Sequence, residues 1–188
     1  MKIAITGGMG CGKSTAINAL SDLLPDYKFA SYDAEIKRMY GHDWAFRDQL
    51  RHFFGTDVKA EVASLVFNNP ERLKTLIWIT EPPMKAFMEM VTSNPDVVVE
   101  VPMLYQLPGY PEMFDKVFAI WCDKDAQRAR IKNRDGLSDE MIDRKLAIQL
   151  SADEIASKAD FVIDTSDGAV DIHVQLEAVL RVAELKSV

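Results

Sequence analysis

The sequence predicts an α/β fold, a five-stranded parallel sheet flanked by helices. Two observations carry this. Short apolar runs rich in β-branched residues recur along the 188 residues, and they are apolar throughout rather than alternating, as in strands buried on both faces. Helical patterning fills the stretches between them, which reads as strand–helix–strand units. The strands fall at 2–6, 27–32, 96–101, 116–121 and 160–164. A first helix over 13–24 is stopped by Pro25, which cannot continue the hydrogen-bond ladder. The stretch 34–92 reads as helical in several pieces, punctuated by Gly41, Gly55, Pro70 and Pro82-Pro83. It is too long for a simple crossover and predicts a helical sub-domain. Residues 124–158 are charged and helical, broken at Asp135-Gly136. A closing amphipathic helix over 168–186 carries Val170, Val174, Leu176, Val179, Leu180 and Val182 at helical spacing. There is no internal repeat and no low-complexity segment.

Composition narrows the class. Hydrophobic content of 48% and charged content of 27% are ordinary for a globular domain, and the length predicts one domain spanning 1–188. A net charge of −7 argues against a partner that is nucleic acid or an anionic membrane. The two cysteines, Cys11 and Cys122, do not suggest a structural disulfide, because one lies within a glycine-rich turn, and a reducing cytoplasm is expected. Met1-Lys2 runs straight into a strand with no signal-peptide pattern, and no apolar run reaches membrane-spanning length.

The glycine-rich turn carries the chemistry. Residues 7–15 read Gly-Gly-Met-Gly-Cys-Gly-Lys-Ser-Thr, which is G-x-x-x-x-G-K-[ST] between a strand and a helix, the signature of the P-loop NTPase fold. Gly8, Gly10 and Gly12 let backbone N–H groups, with those of Cys11, Ser14 and Thr15, curl around a polyphosphate. Lys13 adds a mobile charge, Ser14 a hydroxyl for Mg²⁺, and the helix points its positive end at the anion. A chance match in a chain of this length has odds below about 1%. The expected ligand is ATP or GTP.

Three further groups sit where such a ligand would be served. Asp33 follows the second strand, and in open α/β sheets ligands bind beyond the carboxyl ends of strands. It either accepts a proton from an attacking hydroxyl or caps the following helix. Glu100 ends the run Val97-Val98-Val99-Glu100 and reads as a Mg²⁺-shell acid rather than an exposed strand end. Gln127, Arg130 and Arg134 share one helix face by their i, i+3, i+7 spacing, with Arg128 and Lys132 on another stripe. A guanidinium face can balance charge on a triphosphate. The bland alternative is a solvated basic helix. His42, His52 and His173 show no metal spacing, and the nine methionines read as core filler.

Together these elements resemble the dephospho-CoA kinase family. The resemblance rests on Thr6 to Thr15, Asp33-Ala34-Glu35, Leu65-Val66-Phe67 with Asn69-Pro70, and Glu100-Val101-Pro102-Met103-Leu104-Tyr105. It continues through Gln127-x-x-Arg130-Ile131-x-x-Arg134, Gly136-Leu137-Ser138, Gln149 and Ala159-Asp160-Phe161-Val162-Ile163-Asp164. The resemblance implies ATP with Mg²⁺ and transfer of the γ-phosphate to the 3′-hydroxyl of dephospho-CoA. It implies catalytic roles for Lys13, Asp33 and Arg134, nucleotide contacts from Arg130, and metal contacts from Ser14 and Glu100. It also implies an acceptor region near 34–92 and a lid near 124–158. The chain departs from the family's pattern at Glu35, Glu81, Gln106, Lys145, Ile155 and Thr165. A second reading is a (deoxy)nucleoside monophosphate kinase on the same scaffold. Against it, Glu100 is followed by Val101-Pro102 rather than by an arginine that would clamp an acceptor phosphate. A GTP-gated switch would need an Asn-Lys-x-Asp motif, which is absent.

Overall fold

The computed structural model describes residues 1–67 and 69–183, which form two compact units. The first comprises residues 1–30 and the chain from 94 on; the second comprises 31–93. The outer residues 184–186 of the expected closing helix lie outside the described residues.

The first unit is built on a five-stranded sheet: β1 (Lys2–Gly7), β2 (Lys28–Ser31), β3 (Val97–Glu100), β4 (Lys116–Trp121) and β5 (Phe161–Asp164). The order is β2-β3-β1-β4-β5, and β1 runs parallel to both β3 and β4, as does β5 to β4. All five expected strands are present, each within a residue or so of its predicted bounds. Central β1 and β4 are apolar runs because both faces are covered: Ile3, Ile5, Phe118 and Ile120 are at most 1% exposed. Phe118 and Phe161 meet edge to face at 5.4 Å. On the sheet lie α1 (Lys13–Leu23) and α9 (Ile172–Val182). The closing helix starts four residues later than the spacing predicts and buries only Leu176 and Leu180 fully; Val170, Val174 and Val182 are exposed. Asp171 fixes the start, its carboxylate accepting from the His173 N–H at 2.9 Å.

The charged stretch divides into α6 (Lys124–Asp135), α7 (Asp139–Leu146) and α8 (Ala152–Ala156). Asp123 caps the first, Gly136 ends it in the left-handed conformation at φ 63°, and Ser138 caps the next.

The second unit is a helical cluster: α2 (Tyr32–His42), α3 (Trp44–Phe54), α4 (Lys59–Val66) and α5 (Pro70–Thr92). Its core joins Met39, Phe46, Leu50, Phe54, Val62, Ile79 and Met84. Two of the expected breaks are not breaks. Gly41 lies inside α2, and the chain turns at Asp43, which closes α2 and caps α3 by accepting from the Phe46 N–H at 3.0 Å. Pro82-Pro83 lies inside the continuous 23-residue α5. Each proline removes one helical donor at a cost of about 3 kcal/mol. Burial of Ile79, Met84 and Met88 on either side, worth about 1.5–3 kcal/mol apiece, offsets that. Among the described residues no helix is long and apolar enough to cross a membrane.

Candidate active site

The turn between β1 and α1 has the shape the glycines require. Gly10 and Gly12 are left-handed at φ 83° and 85°, and Gly12 opens α1 with no side-chain cap. The first N–H groups of that helix therefore have no side-chain capping oxygen, the arrangement that an anion can complete. The loop sits so close to β4 and α6 that side chains do not fit. A Cβ on Gly7 would lie 2.3 Å from the Ile120 carbonyl oxygen, and one on Gly10 would lie 2.9 Å from Ile131 Cγ1. Gly7→Ala is expected to destabilise the fold by about 1–3 kcal/mol, because φ 145° is strained for alanine and the opposing atom is backbone. A lowered urea midpoint checks this; an unchanged midpoint contradicts it.

Lys13 turns back over the loop, its Nζ donating to the Gly7 and Gly8 carbonyls at 2.9 and 3.0 Å. Ser14 and Thr15 are exposed in the first turn of α1. Glu100 ends β3 opposite Ile5 of β1, at the same carboxyl edge of the sheet as the loop, and is half-buried.

The loop is fastened from behind. Gln127, only 7% exposed, donates from Nε2 to the Met9 carbonyl at 2.8 Å and approaches Cys11 Sγ at 3.6 Å. Thr165 lies just past β5 and bonds through its hydroxyl to the Cys11 carbonyl at 2.8 Å. Arg130 grips Thr165 in turn, at its carbonyl (2.5 Å) and hydroxyl (3.1 Å), and pairs with Asp167 at 3.3 Å. Gly12, Thr15, Arg130, Thr165, Ser166 and Ala169 line a cavity of about 330 Å³ directly beside the loop.

The basic helix thus divides. Its Gln127 and Arg130 reach the loop and its surroundings. Arg134 forks onto Asp135 at 2.7 and 2.9 Å, and that contact holds the Asp135 carboxyl below the usual carboxylate range. Arg128 bonds Asp143 and Lys132 reaches Asp139 at 3.3 Å, so this stripe ties α6 to α7. Asp33 lies in the second unit, exposed in the first turn of α2. The cap there is Ser31, whose hydroxyl accepts from the Ala34 N–H at 3.3 Å. His42, His52 and His173 are exposed, and no cluster of three or more acidic, His or Cys groups suited to a metal occurs among the described residues. An Mg²⁺ here would keep few protein ligands and take most of its oxygens from phosphate and water. The exposed Ser14 hydroxyl and the half-buried Glu100 carboxylate, hard oxygen donors at the loop's edge, fit that pattern.

Cys11 and Cys122 are free, buried thiols whose sulfurs lie 3.2 Å apart. Burial, then the contact with Cys11, pushes the Cys122 thiol up to about 12. An unfolded cysteine ionises near about 8.5, so the neutral thiol favours the fold fully below that pH. The contribution is lost as pH rises toward 12. Alkylation of Cys122 at pH 8 is expected to be slow in the native protein and fast after denaturation; rapid native labelling contradicts this.

Three residues here enter the sequence reading only as matches to or departures from the family pattern, with no role assigned: Thr165, Gln149 and Gln106. Thr165 stands at a strand's carboxyl end and is reachable by the same rule that selects Asp33. Gln149 and Gln106 carry no spacing signal, because their partners are remote in sequence.

Comparison with known proteins finds one family at the level of sequence and one fold at the level of structure. The model of the dephospho-CoA kinase family matches residues 1–171. A Symbiobacterium thermophilum dephospho-CoA kinase is 29% identical over 195 residues, spanning 96% of this chain and 80% of that one. One from Rhodopseudomonas palustris is 30% identical over 190 residues, spanning 95% and 93%. A Thermus thermophilus crystal structure superposes with a TM-score of 0.84 at 27% identity, covering 100% of this chain and 98% of that one. The dephospho-CoA kinase from Campylobacter jejuni gives 0.67 at 25%, covering 98% of each. Shikimate kinase from Acinetobacter baumannii, at 19% identity and 0.57, covers 98% of this chain and 94% of its own and shares the fold.

Proposed function

The chain belongs to the dephospho-CoA kinase family, and on that footing we propose that it transfers the γ-phosphate of ATP to the 3′-hydroxyl of dephospho-CoA in the cytoplasm. The observation that carries the reading is the uncapped α1 N-terminus opened by left-handed Gly12, with the Lys13 ammonium folded over the same loop. That arrangement offers N–H donors and one cation to a polyphosphate, and little else.

The residues divide the work. Loop N–H groups of Gly8, Gly10, Cys11, Gly12, Lys13, Ser14 and Thr15 hold the phosphates, and the Lys13 ammonium neutralises charge on the oxygens being transferred. The cavity beside Gly12, Thr15 and Arg130 takes the nucleoside. Arg134, beyond Arg130 on α6, supplies charge when the 124–158 region closes as a lid. Ser14 and Glu100 would hold Mg²⁺, which would supply positive charge to offset that of the phosphates. The 34–92 region receives the acceptor, and Asp33 takes the proton from its 3′-hydroxyl as that oxygen bonds to phosphorus and the bond to ADP breaks.

The test supplies [γ-³²P]ATP with dephospho-CoA and, separately, with each (deoxy)nucleoside monophosphate. Label on dephospho-CoA as CoA is expected. Label on a monophosphate's phosphate, with none on dephospho-CoA, overturns the proposal.

A further inference from the structure

One residue of the phosphate loop, Met9, is held through both its backbone polar groups by glutamine side chains. Gln127 donates to its carbonyl at 2.8 Å, and its N–H donates to Gln149 Oε1 at 3.3 Å. Gln127 is anchored by burial within α6. Gln149 is not: it lies in the connection between α7 and α8, flanked by exposed Ile148 and Ser151.

Something else places that connection. Gln106, in the short 3-10 turn Leu104–Gln106 after β3, donates from Nε2 to the Ile148 carbonyl at 3.1 Å. Its Oε1 accepts from the Leu150 N–H at 3.3 Å. One side chain therefore pairs with the backbone on either side of Gln149, much as a neighbouring strand would. The side-chain type matters. A primary amide donates and accepts at once, whereas a carboxylate only accepts and would set negative charge against the Ile148 oxygen.

We propose that Gln106 is a positioning residue for the phosphate loop: it straps residues 148–150 in place so that Gln149 holds the Met9 N–H. The strap joins the turn after β3, the α7–α8 connection and the loop into one hydrogen-bonded chain. It acts on the donors that cradle phosphate, where a displacement of about 1 Å costs up to about 10²-fold in rate. The proposal rests on the reading that residues 7–15 bind ATP.

Two measurements test it on the full chain. The first is amide exchange followed by NMR. Gln106→Ala is expected to speed exchange at Leu150, which it bonds directly, and also at Met9, which it does not touch. Faster exchange at Leu150 with Met9 unchanged overturns the strap. The second is a double-mutant cycle on the Kd and KM for MgATP, with thermal melting as the fold control. Gln149→Ala is expected to raise both about 5-fold, near the worth of one ordinary hydrogen bond. Gln106→Ala should raise them by no more than that, and Gln106→Glu by at least as much as Gln106→Ala. Because the residues act in series, Gln106→Ala with Gln149→Ala should cost no more than Gln149→Ala alone. Losses that multiply, or a fall in melting temperature with Kd and KM unchanged, overturn the proposal. A wild-type chain that binds no ATP overturns the phosphate-site reading instead, and the exchange measurement still decides the strap.

Discussion

Lys13→Ala is expected to lower turnover by at least about 10²-fold while the protein still folds. The ammonium sits over the loop on the Gly7 and Gly8 carbonyls, and on the proposed reading its charge acts on the transferring oxygens. Alanine removes the charge and leaves the glycine geometry intact, since Gly7 and Gly10 sit against Ile120 and Ile131, which the substitution does not touch. The stability cost is that of hydrogen bonds on a half-buried group, about 1 kcal/mol, or some 2–4 °C in melting temperature for a chain of this size. Steady-state turnover and a thermal melt on the same preparation check both halves. Turnover near wild type would mean that another group carries the charge acting on phosphate. A collapse of the melt would mean that Lys13 is structural.

What is legible in this sequence is what local geometry decides. The strands show because their faces are covered on both sides and the runs stay apolar, as in Ile3-Ala4-Ile5 and Val97-Val98-Val99. The phosphate loop shows because glycine is the residue that takes the positive φ of Gly10 and Gly12 at least cost. Helix ends set by capping are half legible. Ser31 and Asp33 both belong to the residue types that cap, and only the bond from Ala34 to the serine hydroxyl decides between them. The Pro82-Pro83 pair misleads because propensity is local while the burial that overrides it comes from the α5 neighbours Ile79 and Met84 packing into the helical core. On the basic helix, spacing puts Arg130 and Arg134 on one face, yet a tertiary contact takes Arg130 to Thr165 while Arg134 pairs with its own neighbour Asp135. Gln106 and Gln149 are the least legible, since a long-range amide contact leaves no periodic trace.

Asp33→Asn is expected to lower turnover by about 10²–10⁴-fold with MgATP affinity little changed. The substitution is nearly isosteric, so the first turn of α2 keeps its shape, and Ser31 keeps the cap. Asparagine gives up one thing that matters for chemistry: a carboxylate oxygen able to take the proton of an attacking hydroxyl. It also gives up a favourable charge near the helix N-terminus, worth about 0.3–1 kcal/mol at an exposed position, which is too small to unfold the helix. Calorimetric MgATP binding measured beside turnover separates the roles. Turnover that falls alone marks Asp33 as the group that accepts the proton. Affinity that falls in step with turnover would instead make Asp33 a support for the nucleotide, and the proton would then need another acceptor. A variant with wild-type turnover would remove the residue from the chemistry altogether and return the monophosphate-kinase reading to contention, since an acceptor that is already an ionised phosphate needs no base.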